Sequence, residues 1–102
     1  MKSLEEMIAS AQQAAERIRA AQAQLEEALD GMEVAGGSGP VQVRATAAGR
    51  IVGFTIDPSL LAPGHHDALS AHLAEACNAA LAQAARVADA ERERLGIPSL
   101  PL

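Results

Sequence analysis

Tryptophan and tyrosine are absent from this 102-residue chain, and one phenylalanine stands against 24 alanines. A core with almost no aromatic area to bury has to rely on close approach between helices. A chain this short also buries a modest core, and such domains often complete it by oligomerising. Self-association is therefore expected. Cysteine is represented by Cys77 alone, which excludes an internal disulfide framework and a cysteine-based zinc site. A lone cysteine in an alanine-rich segment reads as a small buried hydrophobe. No apolar run approaches the ~20 residues needed to span a membrane. The N-terminal stretch carries Glu5 and Glu6 and lacks the apolar region of a signal peptide, so a cytoplasmic location with no membrane contact is expected. Lysine is scarce too. Lys2 and seven arginines face 13 acids, for a net charge of −5. Residues 1–31 carry −3, residues 32–57 zero and residues 58–102 −2, so no segment is basic overall.

What the chain does have is helical periodicity at both ends. Ser3 is placed to cap a first helix, with Glu5 and Glu6 in the first turn where negative charge suits the dipole. Leu4, Ala11, Ile18, Leu25 and Met32 recur every seven residues. Met7, Ile8, Ala14, Ala15, Ala21, Ala28 and Leu29 fall between them, a heptad-like stripe over about four repeats. Asp30-Gly31 supplies the stop. A second helix is expected from about Asp67 to about Leu95, with Leu69, Leu73, Ala76, Cys77, Ala80, Leu81, Ala84, Val87 and Ala88 at three-and-four spacing. Gly96 and Pro98 end it. One domain, residues 1–95, with a tail over 96–102, accounts for the whole chain.

Between the helices, Met32–Ala35 reads as a short strand and Gly36–Pro40 as a flexible loop. That loop lacks the GxxxxGK[ST] pattern and no helix follows it, so it is not a phosphate cradle. Val41–Leu61, VQVRATAAGRIVGFTIDPSLL, reads as a hairpin. With Ala48-Gly49 as a two-residue loop, Val41 faces Ile56, Val43 faces Phe54 and Ala45 faces Val52, all on one side. A shift of one residue would mix apolar and polar faces. Asp57-Pro58-Ser59 ends the second strand, Pro being unable to continue a ladder and Asp able to accept turn N–H bonds. Leu60 and Leu61 are expected to fold back as a helical turn.

Residues for chemistry are few. His65, His66, Asp67 and His72 could suggest a metal, but adjacent histidines in a loop rarely point the same way. Ser59 has no evident histidine-and-acid arrangement, and no nucleophile–base pair stands out. No enzyme activity, metal or cofactor is expected.

The order of elements nevertheless has a resemblance. A long helix, AQQAAERIRAAQAQLEEAL, precedes a glycine-rich segment, then VQVRATAAGRIVGFTIDPSLL and a helix containing HLAEACNAALAQA. Together these resemble the YbaB/EbfC family of small bacterial nucleoid-associated proteins. The VxV strand, the turn glycine, the run into IDPSLL and Asn78-Ala79-Ala80 carry the likeness. The resemblance implies an α+β protomer, with a long N-terminal helix, a three-stranded antiparallel sheet and a long C-terminal helix. It also implies a tweezer-like homodimer whose helical arms grip double-stranded DNA. Phosphate contacts come from Lys and Arg, so the expected DNA contacts are Lys2, Arg17, Arg19, Arg44, Arg50 and Arg86. Val41, Val43, Val52, Phe54 and Ile56 are the expected dimer contacts. Such a dimer would carry about −10, and a local basic patch still acts because the Debye length is about 8 Å at physiological salt. The expectation is weak, largely sequence-independent DNA binding at the nucleoid. The competing expectation is a protein-interaction module that holds another helical protein, as in family members linked to specialised secretion systems.

Overall fold

The computed structural model describes residues 3–96. Helix α1 runs Leu4–Asp30, and strands β1 (Glu33–Ser38), β2 (Val41–Thr46) and β3 (Ile51–Ile56) follow. A 3₁₀ turn, Pro58–Leu61, and helix α2, His66–Leu95, complete the chain. The sheet is antiparallel in the order β1-β2-β3. Local chemistry sets the element ends. Ser3 Oγ accepts the Glu6 backbone N–H at 3.2 Å, Asp57 Oδ1 accepts the Ser59 N–H at 2.9 Å before the 3₁₀ turn, and Gly96 closes α2 in the left-handed region at φ 69°.

The core lies between one face of the sheet and α2. Helix α2 packs along β1 and β2 and barely reaches β3. It does so with alanines: Ala76, Ala80, Ala84 and Ala88, one per turn, are all buried. Beneath them lie Val34, Val41, Val43 and Ala45, with Val43 fully enclosed. Burying a side chain of that size stabilises by about 1.5–3 kcal/mol.

The glycine-rich segment is strand rather than loop, and close packing is the reason. Gly36 pairs with Val43, directly under α2. A Cβ at Gly36 would collide with the Ala80 backbone nitrogen and sit 2.6 Å from the Ala79 carbonyl carbon. Glycine here marks an approach between two backbones, not a flexible linker. The β1–β2 reversal is confined to Gly39-Pro40, with Gly39 at φ 54°, a pattern suited to a two-residue hairpin.

The β2–β3 register holds where side chains are large and departs near the turn. Val41 faces Ile56 and Val43 faces Phe54, but Ala45 faces Ile51 rather than Val52. The loop has three residues, Ala47-Ala48-Gly49, not two. The Gly49 N–H donates to Thr46 O at 2.9 Å, the Thr46 N–H donates to Arg50 O at 2.8 Å, and Gly49 has φ 93°. This is a type I turn closed by a left-handed glycine, which suits Ala48 better than a primed turn. Val52 becomes the extra residue of a bulge. Ala47 is then free to turn inward, where it packs with Leu25, Leu29 and Ala88, and its N–H donates to Met32 O at 2.8 Å.

Helix α1 is attached only at this end. Leu25 and Leu29 are its only buried residues. With a rise of 1.5 Å per residue, about 30 Å of helix stands beyond them. The molecule accordingly extends 75 × 24 × 18 Å with a radius of gyration of 20.4 Å, where a compact chain of this length would have about 13 Å.

Candidate nucleic-acid interface

Seven arginines lie within the described residues, and three are tied to acids. Arg92 Nη1 donates to Asp89 Oδ1 at 3.0 Å. Arg94 Nε donates to Glu91 Oε1 at 2.9 Å, and its Nη2 donates to the same oxygen. Glu91 is the one buried charged side chain among the described residues, and the Arg94 hydrogen bond holds its carboxyl below the usual glutamate range. This pair is a structural tie at the end of α2. Arg44 Nη1 reaches Glu33 Oε1 at 3.4 Å on the sheet face away from α2. An added Cβ at Gly53 would sit 2.5 Å from Arg44 Nη2, so the guanidinium lies over the gap that Gly53 leaves.

The other four have no carboxylate partner among the described residues. Arg17 and Arg19 stand exposed on the free shaft of α1, each about 100° around the helix from Ile18, so the two flank the apolar stripe on opposite sides. Arg50 follows the β2–β3 loop and is exposed. Arg86 on α2 donates from Nε and Nη2 to Gln83 Oε1, at 3.1 and 2.7 Å, and keeps its charge free. The loop and α2 meet at the Ala47–Ala88 contact, which also receives the end of α1. Lys2 lies outside the described residues.

The expected dimer contacts separate into two groups. Val41 and Val43 are 1% and 0% exposed, inside the protomer's own core, and Ile56 packs against its edge. Val52 and Phe54 are 46% and 49% exposed. The register puts Phe54 on the same sheet face as Val43, but α2 barely reaches β3, so the one aromatic side chain is left half exposed. Leu4, Met7, Ile8 and Ile18 on α1 are likewise exposed.

These elements match a known family over nearly the whole chain: residues 1–96 fit the YbaB/EbfC DNA-binding family. The chain belongs to the YbaB/EbfC family. Its fold matches a crystal structure of an uncharacterized protein, HP0035, from Helicobacter pylori. That likeness has a TM-score of 0.66 at 21% identity and covers 94% of this chain and 95% of that one. No curated protein matches the chain. The architecture expected of a YbaB/EbfC protomer, a three-stranded antiparallel sheet between two long helices, is the one observed.

The histidines do not gather. His66 Nε2 lies 3.1 Å from Asp67 Oδ1 with both side chains in solvent, whereas His72 faces the β1–β2 turn. Among the described residues no three His, Cys, Asp or Glu side chains converge on a point, and no helix is long and apolar enough to cross a membrane. One polar cluster escaped the sequence reading. Ser38, His72 and Glu75 meet at the end of β1. Only the His72–Glu75 spacing of three was visible in the sequence. The serine comes from 34 residues away, and nothing local announces it.

Proposed function

We propose that the protein is a homodimer that binds double-stranded DNA weakly, with little sequence preference, at the nucleoid. The observation that carries this reading is the YbaB/EbfC DNA-binding match across every helix and strand. Two features of the surface support it. First, β3 is an edge strand that exposes two large apolar side chains, Val52 and Phe54, beside the polar Thr55. Edges of that kind act as templates for another chain and are rarely left open. A second copy meeting β3 would cover the strand and Phe54 together. Second, Arg17, Arg19, Arg50 and Arg86 are cations without acidic partners among the described residues, and the sequence adds the charge of Lys2 near the N-terminus. In a dimer these are doubled. Arg44, tied to Glu33, binds phosphate more weakly.

The overall acidity bounds the affinity. Each phosphate neutralised releases counterions, and log K falls with log salt by about 0.9 per phosphate. A few such pairings per protomer, working against a charge near −10, give binding that exists at low salt and fades near physiological salt. The test is a fluorescence-anisotropy titration of a labelled random-sequence duplex across a salt series. The native protein should bind with a steep salt slope, and Arg17→Glu with Arg19→Glu should flatten the slope by about 1 for each phosphate no longer neutralised. No binding at low salt overturns the proposal. So does recovery from native cells of a stoichiometric helical partner, unaffected by nuclease, from a protein that does not shift DNA.

A further inference from the structure

We propose that Ser38, His72 and Glu75 form a directed hydrogen-bond relay that latches the β1–β2 turn to α2 and holds His72 in its Nδ1–H tautomer. Ser38 Oγ lies 2.9 Å from His72 Nδ1 and 2.5 Å from Glu75 Oε2. A hydroxyl has one proton to give, and an ionised carboxylate can only accept. The shorter contact, an O–H to a charged oxygen, takes the serine proton. Ser38 Oγ therefore receives its second hydrogen bond from the imidazole, so Nδ1 carries the hydrogen. The opposite direction would leave Oγ and Oε2 facing each other at 2.5 Å with no proton between them.

The surroundings are built for this geometry. The His72 ring lies against Gly39, where an added Cβ would come within 3.0 Å of Cε1. Gly39 serves both the turn, at φ 54°, and the ring's seat. On the other side of the turn, Pro40 O accepts the Asp57 N–H at 2.9 Å. The β1–β2 turn is thus held to α2 by side chains and to the end of β3 by backbone. His72 Nε2 has no partner among the described residues. Ser38 and Glu75 orient the ring from its Nδ1 side.

Long-range ¹H–¹⁵N correlation spectra of the full-length protein at about pH 8, above the ordinary imidazole range, report the tautomer directly. His72 should show a protonated Nδ1 and a bare Nε2. His65 and His66, exposed and without such a relay, should show the Nε2–H form that free imidazole side chains favour. Ser38→Ala should move His72 to that form and speed amide exchange in the turn about tenfold, the effect of losing one charge-assisted bond. Ser38→Thr should preserve both properties. An Nε2–H signal for His72 in the native protein overturns the proposal. A Ser38→Ala spectrum that leaves the His72 tautomer unchanged, with the rest of the fold intact, also overturns it.

Discussion

Helices α1 and α2 have similar lengths, similar alanine content and the same three-and-four apolar spacing, yet they use it in opposite ways. The apolar residues that helix α2 buries are all small, Ala76, Ala80, Ala84 and Ala88, with Glu91 the one larger side chain buried beyond them. Helix α1 leaves its large apolar residues, Leu4, Met7, Ile8 and Ile18, in solvent and buries two leucines near its end. Size therefore does not rank with burial here. The sheet offers α2 a seat so close that only alanine fits over glycine. The larger side chains of α1, and Phe54 on β3, are surface that the protomer does not cover. The difference teaches that the residues that build this fold and the large apolar residues it leaves on its surface are separate sets.

The strongest way to break α2's half of the contrast is at Gly36. Gly36→Ala drives a Cβ into the backbone of α2 at Ala79–Ala80, which has no side chain to swing aside. We expect a loss of about 3 kcal/mol, a large share of the roughly 5–15 kcal/mol that holds a typical domain together. Urea denaturation measures it. Gly37→Ala is the matched control, because its Cβ meets nothing closer than Val41 O at 3.5 Å; the cost should stay below about 1 kcal/mol.

Next in size is the anchor of α1. Leu29→Ala removes a side chain buried among Leu25, Ala47 and Ala88 and should cost about 3 kcal/mol. Ile18→Ala removes one that touches solvent. It should leave protomer stability within about 0.5 kcal/mol, since alanine is the better helix former. Equal destabilisation by the two substitutions, in the same denaturation experiment, would erase the contrast between the attached end and the free shaft.

The smallest effect is electrostatic. The Asp57 carboxyl is held below its usual range, first by the Ser59 backbone N–H, and Glu91 is held below its own by Arg94. Both groups bind protons more readily in the unfolded chain. Their contribution is present above the ordinary carboxylate range of about 4 and is lost as the pH falls through the lower folded values. Thermal midpoints should decline below about pH 4, and Asp57→Asn or Glu91→Gln should flatten that decline.

Much of this architecture was legible in the chain. Ser3, Gly31, Asp57-Pro58 and Gly96 are local signals, and each marks an element end. The pairing of Val43 with Phe54 was reached from face matching and a two-residue loop; the loop has three residues, and the bulge at Val52 restores the register. What stayed hidden depends on partners distant in sequence. The glycines of β1 look like a linker until α2 is laid across them. The bulge at Val52 answers to Ala47 turning into a pocket made by α1 and α2. The heptad stripe of α1 announces a helix that packs along its length, but not that only Leu25 and Leu29, near its end, are buried. Among the arginines, sequence could propose contacts without knowing that Arg44 leans toward Glu33, whereas Arg17, Arg19, Arg50 and Arg86 have no acidic partner among the described residues.

The proposed dimer rests on a second copy covering the β3 edge and Phe54. Sedimentation equilibrium of the full chain tests that most directly. A species of twice 10.5 kDa, converted to a folded monomer by Phe54→Glu, is the predicted result. A native protein that stays monomeric at the concentrations where it binds DNA would contradict it.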